Sequence, residues 1–273
     1  MLNKVQQRAL VTGASSGMGA ALSRRLAARG IEVWLAARRA DRLAEQVKLI
    51  EAEGGRAHAI TLDVADADAT FARLQRLDEE VGGIDIVVAN AGIGGAKGAV
   101  PMSRCPWPDV RDMFQINLLG AVATVTPFIP RMLARGHGQI VGISSLGADL
   151  PIPQSAPYGA SKAGLTFFLE SMDIELRARG VAVTIVHPGF VRTSMLADLS
   201  RVEGRQPFSL SEQQAALIID RAIRRRARLV RFPLILSTAS WLVRKLPRWV
   251  SDPLVRRTMA RALSAQALPS AQG

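Results

Sequence analysis

The chain has 273 residues, 48% hydrophobic and 21% charged, a composition that excludes intrinsic disorder and permits a substantial core. Its one cysteine, Cys105, excludes an intramolecular disulfide framework and a cysteine zinc cluster, and its three histidines (His58, His137, His187) lie too far apart in sequence for metal-ligand spacing, so no metal is expected. The net charge of +12 is uneven: residues 221–273 carry twelve Lys and Arg against one acid, Asp252, while the rest of the chain is nearly balanced.

The elements alternate along the body. Arg8–Thr12 is a short apolar strand ending at Gly13, and Ala20–Arg29 is helical, with Leu22 and Leu26 on one face. A strand is predicted over Ile31–Ala37, a helix over Leu43–Glu53, a strand over Ala57–Leu62 and a helix over Ala67–Val81. Ile84–Ala89 reads as a buried strand, followed by a long helical region from Pro108 to Ala134. Gln139–Ile143 and Val181–Val186 are strands on either side of a helix over Pro157–Arg179. Residues 190–210 form an irregular excursion, then Ser211 caps a helix to Arg226, and Leu229–Phe232 is the last strand. Strands alternating with helices imply right-handed βαβ units and an open, doubly wound parallel sheet covered on both faces. The N-terminus lacks the apolar run of a secretory signal, and no run of about 18 apolar residues occurs, so the expected location is cytoplasmic, without a spanning helix.

Thr12-Gly-Ala-Ser-Ser-Gly-Met-Gly19 follows the first strand and opens the first helix. Glycines there let backbone approach a pyrophosphate, and a helix N-terminus supplies unpaired N–H groups and a positive dipole end. The second strand ends in Ala37-Arg38-Arg39 where an acid would select the ribose 2′-hydroxyl of NAD. A guanidinium instead pairs with a 2′-phosphate, so NADP(H) is preferred over NAD(H), with Arg38 the better candidate of the two. Tyr158, the sole tyrosine, stands four residues before Lys162, on one face if the segment is helical. An ammonium nearby lowers a phenol pKa, and such a pair can exchange a proton as a carbonyl and an alcohol interconvert. Ser144-Ser145 ends the preceding strand, where ligands bind in open α/β sheets.

These residues, in this order, resemble the short-chain dehydrogenase/reductase family. Seven motifs carry the resemblance, over about residues 5–232: the Thr12–Gly19 turn, Leu62-Asp63-Val64, Asn90-Ala91-Gly92, Asn117, Ser145 placed 13 residues before Tyr158, Tyr158-x-x-x-Lys162, and Pro188-Gly189-Phe190-Val191-Arg192-Thr193. The resemblance implies a Rossmann-like sheet over residues 1–232; the residues beyond it read as a helical basic extension over 233–273. It implies catalytic roles for Asn117, Ser145, Tyr158 and Lys162. Tyr158 would be the acid and base, Lys162 would bind the nicotinamide ribose and depress the tyrosine pKa, Ser145 would polarise the substrate carbonyl, and Asn117 would hold a water in a proton relay. Ser144 is the second choice of serine. Cofactor contacts are implied at Gly13, Ser15, Ser16, Gly17, Met18, Gly19, Arg38, Arg39, Asp63, Val64, Asn90, Ala91, Gly92, Tyr158, Lys162, Pro188, Gly189, Val191 and Thr193. Gly142 departs from the family, which often has asparagine there.

The expected function is an NADP(H)-dependent oxidoreductase interconverting a ketone or aldehyde and an alcohol. Leu146, Leu150, Ile152 and Pro153 after the serine, and Met195, Leu196 and Leu199 in the excursion, favour a hydrophobic small-molecule substrate. The alternative is a catalytically silent NADP-binding scaffold recruited by its tail. A homodimer or homotetramer is implied by the resemblance. The tail mixes arginines with Trp241, Trp249 and aliphatic residues, and Pro253 suits a new helix start. It reads either as a peripheral membrane contact over residues 233–273 or as helices packed on protein; nucleic acid is disfavoured, since no known nucleic-acid module accompanies the charge.

Overall fold

The computed structural model describes residues 6–94, 101–192 and 208–263, with side chains through Arg257. A parallel sheet is built from β1 (Arg8–Thr12), β2 (Glu32–Ala37), β3 (Ala57–Thr61), β4 (Ile86–Ala89), β5 (Gly138–Ile143), β6 (Val181–Pro188) and a strand over Leu229–Phe232. A separate two-stranded parallel pair is formed by β7 (Val191–Arg192) and β8 (Leu210–Ser211), which makes Leu229–Phe232 β9. The order across the main sheet is β3-β2-β1-β4-β5-β6-β9, a Rossmann-like arrangement. The chain runs outward from β1 to β3, then returns to place β4 on the other side of β1. That reversal opens a crevice at the carboxyl ends of β1 and β4.

Continuous apolar strands suit a sheet covered on both faces. Ala9 and Val11 of β1 point to one core, shared with α1 (Gly17–Ala27), α2 (Ala40–Ala52) and, late in the chain, a helix over Glu212–Arg224. Leu10 points to the other core, shared with α3 (Ala67–Glu80), with α5 (Gly120–Val125) and α6 (Ile129–Arg135) of the helical run that opens with α4 (Trp107–Phe114), and with α7 (Ala156–Arg177). The period-2 alternation of one strand thus divides the core in two. The Glu212–Arg224 helix, α8, begins with a reciprocal capping box between Ser211 and Gln214, which satisfies two of its first backbone donors.

The expected long helix over 108–134 is present but not uniform. A π-helical turn, Gln115–Leu119, widens it around Asn117, and a 3-10 turn over Thr126–Phe128 precedes α6. Pro127 and Pro130 cannot donate to the helical ladder there. The run Trp107–Arg135 is long and apolar enough to cross a membrane by composition, but half of its most apolar window is buried against the sheet and α7, as a core helix would be.

Gly142, the departure from the family pattern, has a packing cause. A Cβ at this position of β5 would run into Leu169 Cδ1 of α7, whose side chain is fully buried. Leucine occupies the space that a larger residue on the strand would need.

After β9 come α9 (Leu234–Lys245) and α10 (Arg248–Leu263). The expected helix start at Pro253 is corrected: Pro253 lies inside α10, which begins right after Pro247. The amides of Val250 and Ser251 already donate to the Pro247 carbonyl, so the helix is nucleated a turn and a half before Pro253. Pro253 only removes the donor to the exposed Trp249 carbonyl, a loss solvent can make good.

Candidate active site

The first strand–helix turn is held by Asn90. Its side-chain amide donates to the Thr12 carbonyl at 2.8 Å and to the Gly13 carbonyl at 3.4 Å. In return the Thr12 hydroxyl accepts from the backbone N–H groups of Asn90 (3.1 Å) and Ala91 (3.2 Å). The ends of β1 and β4 are thereby locked together at the crevice. Gly13 adopts φ +66°, and a Cβ on it would sit 2.9 Å from Ala91 Cα. A Cβ on Gly19 would run into the Gly13 carbonyl. Both positions require glycine for close backbone approach. No side chain caps α1 and no acid sits in its first turn, so its leading amides and dipole face the turn made by Ser15, Ser16, Gly17 and Met18.

Arg39 reaches back over this turn. Its guanidinium donates to Ser15 Oγ at 3.0 Å and Ser16 Oγ at 2.9 Å. Arg38, the residue favoured from the sequence, is exposed beside it. The structure therefore gives the turn-spanning position to Arg39. Asp63 follows β3 and folds its carboxylate onto the Ala65 amide at 3.1 Å, while Val64 is buried under Gly120 of α5, leaving no room there for a Cβ.

Asn117 is fully buried in the π-turn, and a widened turn of this kind re-aims a side chain out of the regular helical positions. Its carbonyl oxygen accepts from the Ile93 amide at 2.8 Å, and its amide donates to the Ile93 carbonyl at 2.9 Å and to Ser161 Oγ at 3.2 Å. Ser161 in turn donates to the Tyr158 carbonyl at 2.8 Å. A Cβ on Gly92 would stand 3.0 Å from the Asn117 oxygen and 3.3 Å from Lys162 Nζ. Asn117, Gly92 and Lys162 therefore converge on one spot. Lys162 is 5% exposed, and its ammonium donates to the Ile143 carbonyl at the end of β5 at 2.9 Å. Burial lowers its pKa to about 8.

The two serines are separated by strand alternation. Ser145 Oγ accepts from the Gly147 amide at 3.0 Å and faces the Tyr158 ring across Gly147, where a Cβ would lie 3.4 Å from both. Ser144 points the other way, its hydroxyl donating to the Lys162 carbonyl at 3.0 Å and lying 2.8 Å from Thr166 Oγ1. Burial pushes the Tyr158 phenol above its ordinary pKa, and the Ser145 hydroxyl only partly opposes this. The expected depression by Lys162 is thus not seen in the folded chain; the ammonium is directed at the Ile143 carbonyl instead. Pro188 ends β6 and Gly189 follows it, its amide donating to the Phe232 carbonyl at 2.7 Å, and Val191 is buried in β7. Thr193 and the apolar residues Met195, Leu196 and Leu199 lie outside the described residues.

A buried polar chain found in the structure has no counterpart in the sequence reading. From Thr166 it continues to His187 Nε2 at 3.0 Å, then from His187 Nδ1 to Asp149 Oδ2 at 3.0 Å. Asp149 also receives Arg231 through two hydrogen bonds, at 2.9 and 3.2 Å. His187 is fully buried. The one sequence signal was the apolar strand before His187, which implied that an imidazole there would need a partner.

The profile of the short chain dehydrogenase family matches residues 7–204. The chain belongs to this family and is an oxidoreductase. An uncharacterised oxidoreductase of Myxococcus xanthus is 40% identical over 249 residues, 91% of this chain and 96% of the relative. A fatty acyl-CoA reductase of Acinetobacter baylyi is 34% identical, covering 81% of this chain and 74% of the relative. An actinorhodin polyketide ketoreductase solved with NADPH superposes with a TM-score of 0.77 at 27% identity, covering 87% of this chain and 99% of that one. A short chain dehydrogenase of Mycobacterium paratuberculosis bound to NAD gives 0.72 at 26% identity, covering 84% and 97%.

Burial raises the Asp149 carboxyl, but hydrogen bonds and charge from His187 and Arg231 outweigh it and bring the pKa down from 3.8 to about 2. A depressed carboxyl contributes stability that is complete above its unfolded value and is lost as pH falls through the folded one. Urea denaturation of Asp149→Asn should therefore show a deficit of about 2 kcal/mol against wild type above pH 4, shrinking toward zero as the pH approaches 2. A deficit independent of pH over this window would remove the ionised carboxylate from the network.

Proposed function

We propose that the protein is an NADP(H)-dependent carbonyl reductase that interconverts a hydrophobic ketone or aldehyde and its alcohol, with Tyr158 as proton donor. The observation that carries this reading is the convergence of Ser145 and Tyr158 at the carboxyl edge of β5, where a Cβ on Gly147 would lie 3.4 Å from both Ser145 Oγ and Tyr158 Cε1, with the buried Lys162 one helical turn on. The glycine cradle at Gly13 and Gly19 and the uncapped start of α1 fit a dinucleotide pyrophosphate. When bound, the nicotinamide supplies or accepts the hydride.

The chain's own residues supply the rest. Ser145 Oγ, oriented by the Gly147 amide, is placed to donate to a carbonyl oxygen, and Tyr158 is placed to protonate the same atom. A phenol with a raised pKa stays protonated at neutral pH, the form that carbonyl reduction needs. Lys162 and Asn117 border the Gly92 backbone, where the nicotinamide ribose would be held, and Asn117 would order a water there. Leu146 against Gly189 gives the mouth an apolar wall. The fatty acyl-CoA and polyketide reductases among its relatives, whose names imply largely apolar substrates, support the substrate class. Arg39, seconded by Arg38, supports NADP(H): a guanidinium spanning Ser15 and Ser16 borders the site of a ribose 2′-phosphate.

Tyr158→Phe should lower kcat for reduction of a panel of hydrophobic ketones by about a hundredfold or more, with NADPH affinity by fluorescence unchanged. A wild-type chain that binds NADPH and turns over no substrate would favour the scaffold reading. Arg39→Asp should weaken NADPH about 10–100-fold with little effect on NADH, and more than Arg38→Asp does. Equal losses for both cofactors would end the assignment. We further propose a homodimer through α7 and the α4–α6 run, where Phe167 (72% exposed), Ile174 (82%) and Leu119 (48%) form an outward apolar surface. Light scattering should give at least twice the chain mass, falling to a monomer in Phe167→Asp with Ile174→Asp.

A further inference from the structure

The basic end of the chain divides into two parts with different employment. Before α9 four of the six arginines between 221 and 231 serve the fold. Arg224 pairs with Asp220, Arg228 with Asp173 and Arg231 with Asp149, and Arg226 donates to the Gly138 and Gly180 carbonyls. From α9 onward the cations with described side chains are Arg244, Lys245, Arg248, Arg256 and Arg257, all exposed; Arg261 follows, and the only acid in the sequence from α9 onward is Asp252. Among these, Arg244 fastens α9 to the body by donating to the Asp149 carbonyl at 2.7 Å, and Lys245 lies 5.9 Å over the Trp241 ring.

The same stretch exposes large apolar side chains. Ser237 alone is buried in α9, while Leu234 is 74% exposed, Ile235 60%, Trp241 59% and Leu242 54%. Positions 234, 235, 241 and 242 are separated by two helical turns and fall on one face. Leu246, Trp249 and Leu254 continue the exposed surface into α10. Seven of the seventeen exposed large hydrophobic residues among the described residues lie between 234 and 254. The concentration is a property of this segment rather than of the surface as a whole.

The position of this face matters as much as its composition. Because β9 is parallel to its neighbours, the helix that follows it emerges on the carboxyl edge of the sheet, where the site lies. Pro233 and Leu146 both pack at Gly189: a Cβ there would lie 3.0 Å from Pro233 Cδ and 3.2 Å from Leu146 Cδ1. The start of α9 is therefore part of the rim of the site, and Arg244 and Arg231 tie it to the loop that follows Ser145.

We propose that the outer face of α9 and α10 docks on an anionic lipid bilayer, seating the catalytic edge at the membrane surface. Tryptophans beside aliphatic residues match the headgroup–acyl boundary, and arginine and lysine around them match anionic headgroups. Twelve residues of α9 rise only about 18 Å, too short to span a bilayer, so the helix lies on the surface. A second copy fits this face poorly, since pairing α9 and α10 with themselves would bring six cations against six with one acid on each side. Docking needs no turnover. A chain inactive toward every carbonyl would still bind vesicles if the inference holds, and an active one would fail to bind them if it does not.

The test is co-sedimentation of the full chain with vesicles of phosphatidylcholine alone and of phosphatidylcholine with about one-third phosphatidylglycerol. Binding is expected to the anionic vesicles, at least about tenfold tighter than to the neutral ones, and to weaken in high salt. Lys245→Glu with Arg248→Glu should lower that affinity about tenfold or more, and Leu234→Ser with Leu242→Ser should weaken it comparably. Lys48→Glu, on exposed α2, makes a similar kind of charge change elsewhere and should leave binding nearly intact. Equal affinity for the two vesicle types, or an equal effect of Lys48→Glu, would overturn the proposal, and the wild-type salt titration decides even if a variant misfolds. An oligomer that dissociates in the α9 variants while vesicles stay unbound would assign the face to a second copy and overturn it as well.

Discussion

A cation kept out of water organises the reacting edge of this protein. Lys162 is 5% exposed, and burial alone would expel its charge; the folded chain compensates with the Ile143 carbonyl. Lys162 approaches Gly92 closely, a Cβ there lying 3.3 Å from its Nζ, and Asn117 crowds the same spot from the π-turn at 3.0 Å. The neighbouring hydrogen bonds follow from this placement. Ser144 secures the Lys162 carbonyl, which leaves Ser145, one residue on, facing the opposite side with Tyr158. Ammonium and phenol stand on α7, the hydroxyl follows β5 and Asn117 comes from the π-turn, so their mutual geometry is set by the packing of three elements rather than by one flexible loop.

Behind the reacting groups runs the chain Ser144, Thr166, His187, Asp149, Arg231. Each member is paired, which is what a buried polar network must achieve to favour one arrangement over others. The chain joins the floor of the site to the last strand and, through Arg244, to α9. The substrate-side loop from Leu146 to Asp149 is thereby anchored at both ends, by Ser145 at one and by the Asp149 cluster at the other. Charge in the C-terminal fifth, which looks uniform in the sequence, is divided by this anchoring into arginines that hold the fold and cations left on the outer surface.

The comparisons place the chain in its family over most of the body, and the family profile ends at residue 204. β9, α9 and α10 lie beyond it. That is also where the charge concentrates, so the part least described by family membership is the part whose surface chemistry differs most from the rest of the molecule.

The alternation of apolar strands with amphipathic helices was legible from residue order alone, because a parallel sheet covered on both faces imposes that pattern locally. The glycine turn was legible too, since close backbone approach restricts the residue types there, and so was the placing of Tyr158 and Lys162 on one helix, four residues apart. Other features were settled only by neighbours distant in sequence. Arg39 rather than Arg38 spans the turn because of where α2 starts relative to α1. Ser145 rather than Ser144 meets the phenol because β5 turns alternate side chains to opposite faces. The partners of His187 come from α7 and from the loop after β5, 21 and 38 residues away in sequence. Residue order determines local periodicity and local chemistry; long-range hydrogen bonds and burial depend on which segments meet, and only the tertiary structure decides that.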